Sequence, residues 1–151
     1  MTERLDPRIS IITLLVADTQ RAYEFYANGL GLPTKSKADD QWIGFKLNGL
    51  ILCLYPYEKA AAENFDRTID APRSLDPKLM PSKTLAYNTR QKHEVEELLA
   101  LAERAGGKIE KKPHDTFWGG YSGYFSDPDG HLWEVAWAES WKFDDSGNLV
   151  L

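Results

Sequence analysis

Glu134 is the residue best placed to do chemistry in this chain of 151 residues. It interrupts an apolar, aromatic run, Leu132-Trp133-Glu134-Val135-Ala136-Trp137, where a carboxylate has to be solvated, paired or neutralised. Burial would raise its pKa and suit it to general acid or base work, whereas an ion pair or a wet cleft mouth would leave it an ordinary carboxylate. His114, in Pro113-His114-Asp115 ahead of an aromatic stretch, reads either as a proton shuttle or as a hydrogen-bonded loop residue. His131 follows an Asp-Gly pair, out of phase with Glu134 in a strand alternation, and reads as structural or exposed. His93 opens a charged helix and reads as surface. Cys53 is the only cysteine, with no cationic neighbour in sequence to favour a thiolate, so it reads as a small buried hydrophobe.

The aromatic residues are the second chemical signal. Of 18 in the chain, nine lie between Phe117 and Phe143, which makes that stretch a core, a binding surface, or both. Phe117-Trp118-Gly119-Gly120 reads as an aromatic loop whose glycines permit unusual backbone angles. Trp133 and Trp137 alternate away from Glu134 and read as core packed under a helix. Trp141 and Phe143 belong to a closing tail with a turn at Ser146-Gly147.

These residues need elements to position them, and the chain supplies the same set twice. The apolar stretch Ile9 to Val16 precedes Asp18-Thr19, an N-cap signal, and a stripe of Ala22, Phe25, Tyr26 and Gly29 at i, i+3, i+4, i+7. Leu85-Ala86-Tyr87 precedes an equal stripe of Val95, Leu98, Leu99 and Ala102, offset by 73 residues. Asn48-Gly49 and Asp129-Gly130, turn pairs that tolerate positive φ, follow at an offset of 81 and make Cys53 the module-one equivalent of Glu134. Strand, helix and three further strands therefore recur, and such a repeat dictates the architecture. Each half is marginal alone, so one domain is expected: module one at residues 8–57, a linker at 58–81, module two at 82–138 and a tail at 139–151. Glu58 to Phe65 predicts a short helix, and Ala71-Pro72 to Pro81 an irregular connection.

Composition excludes several classes. Eighteen basic against 23 acidic residues, net −5, argue against a nucleic-acid or anionic-membrane surface. The longest apolar runs fall short of the ~20 residues of a membrane span. The charged start and single cysteine suggest a cytoplasmic protein. No phosphate-binding glycine loop, Cys-x-x-Cys pair or Gly-x-Ser-x-Gly elbow occurs.

Val16-Ala17-Asp18, the helix carrying Phe25-Tyr26 and Gly29, and Leu30-Gly31-Leu32 resemble the opening of the vicinal oxygen chelate superfamily, which includes glyoxalases, bleomycin-resistance proteins, fosfomycin-resistance enzymes and extradiol dioxygenases. Phe125-Ser126-Asp127-Pro128-Asp129-Gly130-His131-Leu132-Trp133-Glu134 resembles its closing hairpin, and Asp115 to Tyr124 resembles an uncharacterised bacterial subgroup. The resemblance implies an α+β fold of two βαβββ modules, frequently homodimeric, whose sheets curl around a metal and a ligand.

The metal-dependent relatives take ligands from the first and last strand of each module, most often two His and one Glu. The resemblance places Ile11, Cys53, Thr84 and Glu134 at those positions, so only Glu134 keeps a typical ligand type. The alternation puts Thr13, Cys53, Thr84, Asn88 and Glu134 on an otherwise apolar cup. Tyr121 stands where relatives place a ligand-contacting side chain, and Phe117 and Trp118 stand over the cleft. The expected function is binding of a small organic molecule in an apolar, aromatic cleft without a catalytic metal. The alternative is a metal-dependent lyase or dioxygenase-type enzyme, akin to lactoylglutathione lyase, using Glu134 with Zn, Ni, Mn or Fe.

Overall fold

The computed structural model describes residues 4–64 and 81–150. The irregular connection expected from Ala71, and the Phe65 end of the short helix, lie outside the described residues. Strand β1 (Ile11–Val16) leads into helix α1 (Thr19–Tyr23), which widens into a π-helical turn over Glu24–Gly29. Asp18 caps this helix, its carboxylate accepting from the Arg21 amide at 3.1 Å. Strands β2 (Ile43–Lys46) and β3 (Ile51–Pro56) follow, and α2 (Tyr57–Asn64) begins directly after β3. Module two has β4 (Leu85–Asn88), α3 (Glu94–Arg104), β5 (Lys108–Asp115), β6 (Gly120–Ser126) and β7 (Leu132–Ala138), and the tail forms a hairpin of β8 (Lys142–Phe143) and β9 (Leu149–Val150).

The sheets have matching orders, β1-β3-β2 and β4-β7-β6-β5, with the outer parallel pairs β1–β3 and β4–β7 in equivalent places. The fourth strand of module one is reduced to a single bridge between Thr34 and Phe45. Pro33 and the polar run after it offer no alternating apolar face to hold a longer strand there. Gly49 and Gly130 occupy positive φ, 75° and 86°, at the equivalent β2–β3 and β6–β7 turns, as the Asn-Gly and Asp-Gly pairs require.

One core joins the two modules through their helix-bearing faces. Ile12, Leu14 and Val16 of β1, Leu52 and Leu54 of β3, and Ile43 and Phe45 of β2 pack with Phe25 and Tyr26; Val95, Leu99, Phe125 and Val135 complete the cluster from module two. Phe25 meets Tyr26 edge-on at 4.9 Å and Phe125 at 6.3 Å, and Tyr26 meets Trp133 at 6.1 Å. Trp133 stacks on Phe125 at 5.9 Å, and Trp137 packs partly buried against the same cluster.

The Asp127-Pro128-Asp129-Gly130 turn fastens this junction. The fully buried Tyr26 hydroxyl donates to Asp127 Oδ2 at 2.6 Å and accepts from Trp133 Nε1 at 3.1 Å. Asp127 Oδ1 accepts from the amides of Asp129 and His131, and burial pushes its carboxyl pKa up. Asp129 Oδ1 accepts from the Ala17 amide at 2.9 Å and from Arg21 at 2.8 Å, across the module boundary. His131 Nε2 donates to the Leu15 carbonyl at 2.8 Å, the structural role expected of it. The most family-like stretch of sequence is therefore a staple between modules.

The tail crosses between modules as well. Trp141 stacks on Trp118 at 5.6 Å, Arg90 lies over the Phe143 ring, and Asn48 in the β2–β3 turn donates to the Ser146 carbonyl at 2.6 Å. Among the described residues no helix is long and apolar enough to cross a membrane.

Candidate functional site

In the second sheet α3 covers one face, with Leu99 pressed against Gly123, and among the described residues no helix packs on the other face. Glu134 on β7 lies on that free face, in register with Ala86 on β4 and Tyr124 on β6. The Tyr124 hydroxyl donates a hydrogen bond to Glu134 Oε2. Two residues along, Asn88, Ala136, Ser122 and His114 form the next row; beyond them Ala138 pairs with Gly120. The Trp118 indole folds back over Gly120, where a Cβ would lie 1.9 Å from the ring, so only glycine admits it. The face thus reads, along β6, as an indole pad, a floor of small residues, and a phenol–carboxylate pair.

The first sheet repeats this plan with different chemistry. Cys53 is in register with Thr13 on β1 and Gly44 on β2, the row equivalent to Ala86, Glu134 and Tyr124. Trp42 folds over Gly44 as Trp118 does over Gly120, with a built Cβ 2.3 Å from its ring. Cys53 is wholly buried, and burial pushes its thiol pKa up despite hydrogen bonding with Thr13 and Trp42. A thiol held neutral in this way is not an activated nucleophile.

Several sequence expectations change place. Tyr121 lies on the helix-bearing face rather than in the cup: its hydroxyl donates to Glu96 Oε1 on α3 at 2.6 Å, and Lys92 sits 4.8 Å over its ring. The alternation of β6 decides this, since Tyr121 is an odd number of residues from Tyr124. Thr84 is exposed and immediately precedes β4, while Asn88 closes that strand on the free face. Thr13 and Cys53 sit together, but among the described residues no hydrogen bond joins their row to Glu134. Phe117 is fully exposed at the tip of the β5–β6 turn, and Trp118 is 42% exposed. His114 is a strand residue rather than a loop one, its Nδ1 donating to the Lys112 carbonyl at 3.1 Å. His93 is at the start of α3, 3.9 Å from Glu97.

Sequence reasoning missed Tyr124, Trp42 and the stacking role of Trp141. A signal for Tyr124 existed: counting outward from the Asp-Pro-Asp-Gly turn pairs it with Glu134. The shared Trp-x-Gly spacing of Trp42-Ile43-Gly44 and Trp118-Gly119-Gly120 would have exposed the indole pads. Trp141 stacks on a residue 23 positions away, which no local pattern reports.

The donor set does not fit a divalent cation held by imidazoles and a carboxylate. Ile11 has no donor atom, Thr84 offers a neutral hydroxyl, and the Cys53 thiol is wholly buried. Each histidine is engaged elsewhere, and among the described residues no three of His, Cys, Asp and Glu gather around one point.

The Tyr124–Glu134 pair has a measurable signature. Hydrogen bonding to Glu134, followed by burial and the carboxylate's charge, pushes the Tyr124 phenol from 10.0 up to about 12. A raised phenol pKa stabilises the fold below pH about 10, and that contribution is lost as pH rises towards about 12. In an alkaline absorbance titration, Tyr124, the buried Tyr26 and Tyr121, which is bonded to Glu96, are expected to ionise late. Glu134→Gln should return only Tyr124 towards the ordinary range; an unchanged late fraction would show that the pair does not form.

The fold and this arrangement of rows define a duplicated βαβββ protein of the glyoxalase type. The profile of the glyoxalase/bleomycin resistance protein/dioxygenase superfamily matches residues 8–135, and the chain belongs to that superfamily. Among solved structures, it is similar to a glyoxalase-related enzyme from Fulvimarina pelagi, with 26% identity and a TM-score of 0.82 over 96% of this chain and 98% of that one. It shares the fold of a glyoxalase/bleomycin resistance protein/dioxygenase family enzyme from Burkholderia phytofirmans, with 17% identity and a TM-score of 0.67 over 87% and 98% of the two chains. It also shares the fold of a lactoylglutathione lyase from Agrobacterium tumefaciens, with 24% identity and a TM-score of 0.64 over 93% and 100%. No functionally curated protein matches the chain.

Proposed function

We propose that this chain binds a small organic molecule on the helix-free face of its second sheet, without a resident catalytic metal. The observation that carries the reading is the composition of that face. A half-buried carboxylate held by Tyr124 stands beside small residues and an exposed indole, while the other three positions implied for metal ligands are Ile11, Cys53 and Thr84. Such a surface offers apolar contact with a few fixed polar points, the usual make-up of a site for an organic ligand.

A thermal-shift screen of aromatic and glycopeptide compounds tests the reading. Trp118→Ala is expected to weaken any hit at least tenfold, the scale of an aromatic hot spot. Its stacking on Trp141 and cover over Gly120 predict a stability loss of about 1 kcal/mol besides. Hits that bind the variant unchanged would place the ligand elsewhere.

Retention of Glu134 on the last strand favours a second reading, a metal-dependent lyase or dioxygenase-type enzyme. Near-stoichiometric Zn, Ni, Mn or Fe in protein purified without chelator, abolished by Glu134→Gln, would establish it and overturn the metal-free one. Turnover of a methylglyoxal–thiol adduct would point the same way.

A further inference from the structure

The two ends of the module junction are closed by different means. The repeat offset of 81 makes Asn48 the module-one equivalent of Asp129, and the offset of 73 makes Arg90 and Glu94 the module-two equivalents of Ala17 and Arg21. At the first end Asp129 takes the Ala17 amide at 2.9 Å and the Arg21 guanidinium at 2.8 Å, so the modules bond directly. The second end lacks those bonds. Glu94 Oε2 already accepts from the amides of Arg90 and Gln91, at 2.9 and 2.7 Å, and Asn48 donates instead to the Ser146 carbonyl in the tail at 2.6 Å. The Arg90 side chain lies over Phe143, 5.7 Å from the ring centroid, and closes on Gly147, where an added Cβ would stand 3.3 Å from its Nη2. The β8–β9 hairpin thus fills the place that a second copy of the staple would have taken.

We propose that this hairpin is a releasable strap, which holds the second end of the junction shut and ties it to the β5–β6 turn through the stack of Trp141 on Trp118. The inference is independent of whether the free face binds a ligand.

The contacts at the two ends differ in strength. Tyr26, Asp127 and Asp129 are buried, and a buried polar network comes apart only at the desolvation cost of each member. In the tail Trp141, Phe143 and Leu149 are half-buried, and every other residue from Lys142 to Val150 is exposed. The hairpin meets the modules through an aromatic stack, a cation over a ring and an exposed hydrogen bond, contacts that water replaces at little cost.

The hairpin is also closed on itself. The Asp144 amide donates to the Asn148 carbonyl at 2.9 Å, the Gly147 amide donates to the Asp144 carbonyl at 3.0 Å, and Asp144 Oδ1 accepts from the amides of Ser146 and Asn148. Such a unit lifts as one body, because its backbone groups keep their partners when it leaves the modules. The turn from Ala138 to Trp141 is the pivot. Its two anchors are therefore coupled: taking Trp141 off Trp118 loosens Ser146 on Asn48, and the reverse holds by the same factor.

Native-state hydrogen exchange of the full chain, read residue by residue by NMR, tests this. The amides of Asp144, Gly147 and Asn148 are expected to exchange together, at least about a hundredfold faster than those of β6 and β7. Asn48→Ala removes the outer hydrogen bond and should speed exchange through the whole tail about fivefold, as far as the Trp141 amide. Trp118→Ala should do the same at Gly147 and Asn148, at the other end of the hairpin. Phe143→Ala, which takes away the ring under Arg90, should reproduce the effect at Trp141. In all three variants the amides of Ala17, Asp129 and His131 should keep their rates, which reports an intact fold and staple. Tail amides as slow as those of β7, or acceleration confined to the residues beside each substitution, would overturn the proposal. Faster exchange at the staple in step with the tail would overturn it too, because the junction would then open as a whole.

Discussion

Tyr26→Phe removes one oxygen and is expected to lower folding stability by about 3 kcal/mol. That oxygen lies where the modules meet: it donates to Asp127 Oδ2 and accepts from Trp133 Nε1, in a residue with no exposed surface. Deleting it leaves a buried carboxylate oxygen without its donor and an indole N–H without its acceptor. Each orphaned group carries its own desolvation cost of about 1–3 kcal/mol, more where it is charged. For a chain of 151 residues the melting temperature should fall by roughly 10 °C. Urea unfolding followed by fluorescence measures this directly, and a double-mutant cycle with Trp133→Phe isolates the indole bond. A loss below about 1 kcal/mol would mean that water replaces both partners and that the junction is looser than described.

Gly29→Ala is expected to destabilise by about 2 kcal/mol, for a different reason. A Cβ at position 29 would lie 2.4 Å from Ala105 Cβ and 3.1 Å from its Cα, with backbone rather than a mobile side chain in the way. Gly29 ends the first helical segment and Ala105 follows α3, so this is helix-end packing between modules. The decisive comparison is the double variant Gly29→Ala/Ala105→Gly, which restores the methyl count. Recovery of most of the lost stability, beyond the small cost of glycine at a helix end, would show that the two positions share one methyl's worth of space. If the loss persisted in the double variant, the cause would be the altered π-helical turn rather than the collision.

Together these substitutions put the strongest constraint of the molecule at the junction, with the candidate ligand face on the other side of the second sheet. That division explains why the Asp127 to Glu134 stretch is so informative and yet mostly structural. Asp127, Asp129 and His131 bond across to Tyr26, Ala17, Arg21 and Leu15, and only Glu134, at the end of the run, points to the free face. The nine aromatics between Phe117 and Phe143 divide in the same way. Phe125, Trp133 and Trp137 build core, Tyr121 packs against α3, Trp118, Trp141 and Tyr124 furnish the free face, Phe117 is exposed at a turn tip and Phe143 lies under Arg90 in the tail.

The sequence by itself determined the duplicated α+β plan. The two apolar stripes, the capping Asp18 and the turn pairs at Gly49 and Gly130 are local signals. Local backbone preferences and burial periodicity suffice to read them. It also determined that Cys53 and Glu134 occupy equivalent places, because two turns at an equal distance before them set the strand phase. Only the tertiary structure decided which side chains meet. Tyr124 finds Glu134 by cross-strand register, Trp118 finds Trp141 through a returning tail, and Tyr121 turns away because a period of two allows no other face. It likewise decided that the staple closes between modules: the partners of Asp127 and Asp129 lie more than 100 residues earlier. Contacts at that separation depend on how two packed layers dock, which no periodicity along one strand or helix encodes.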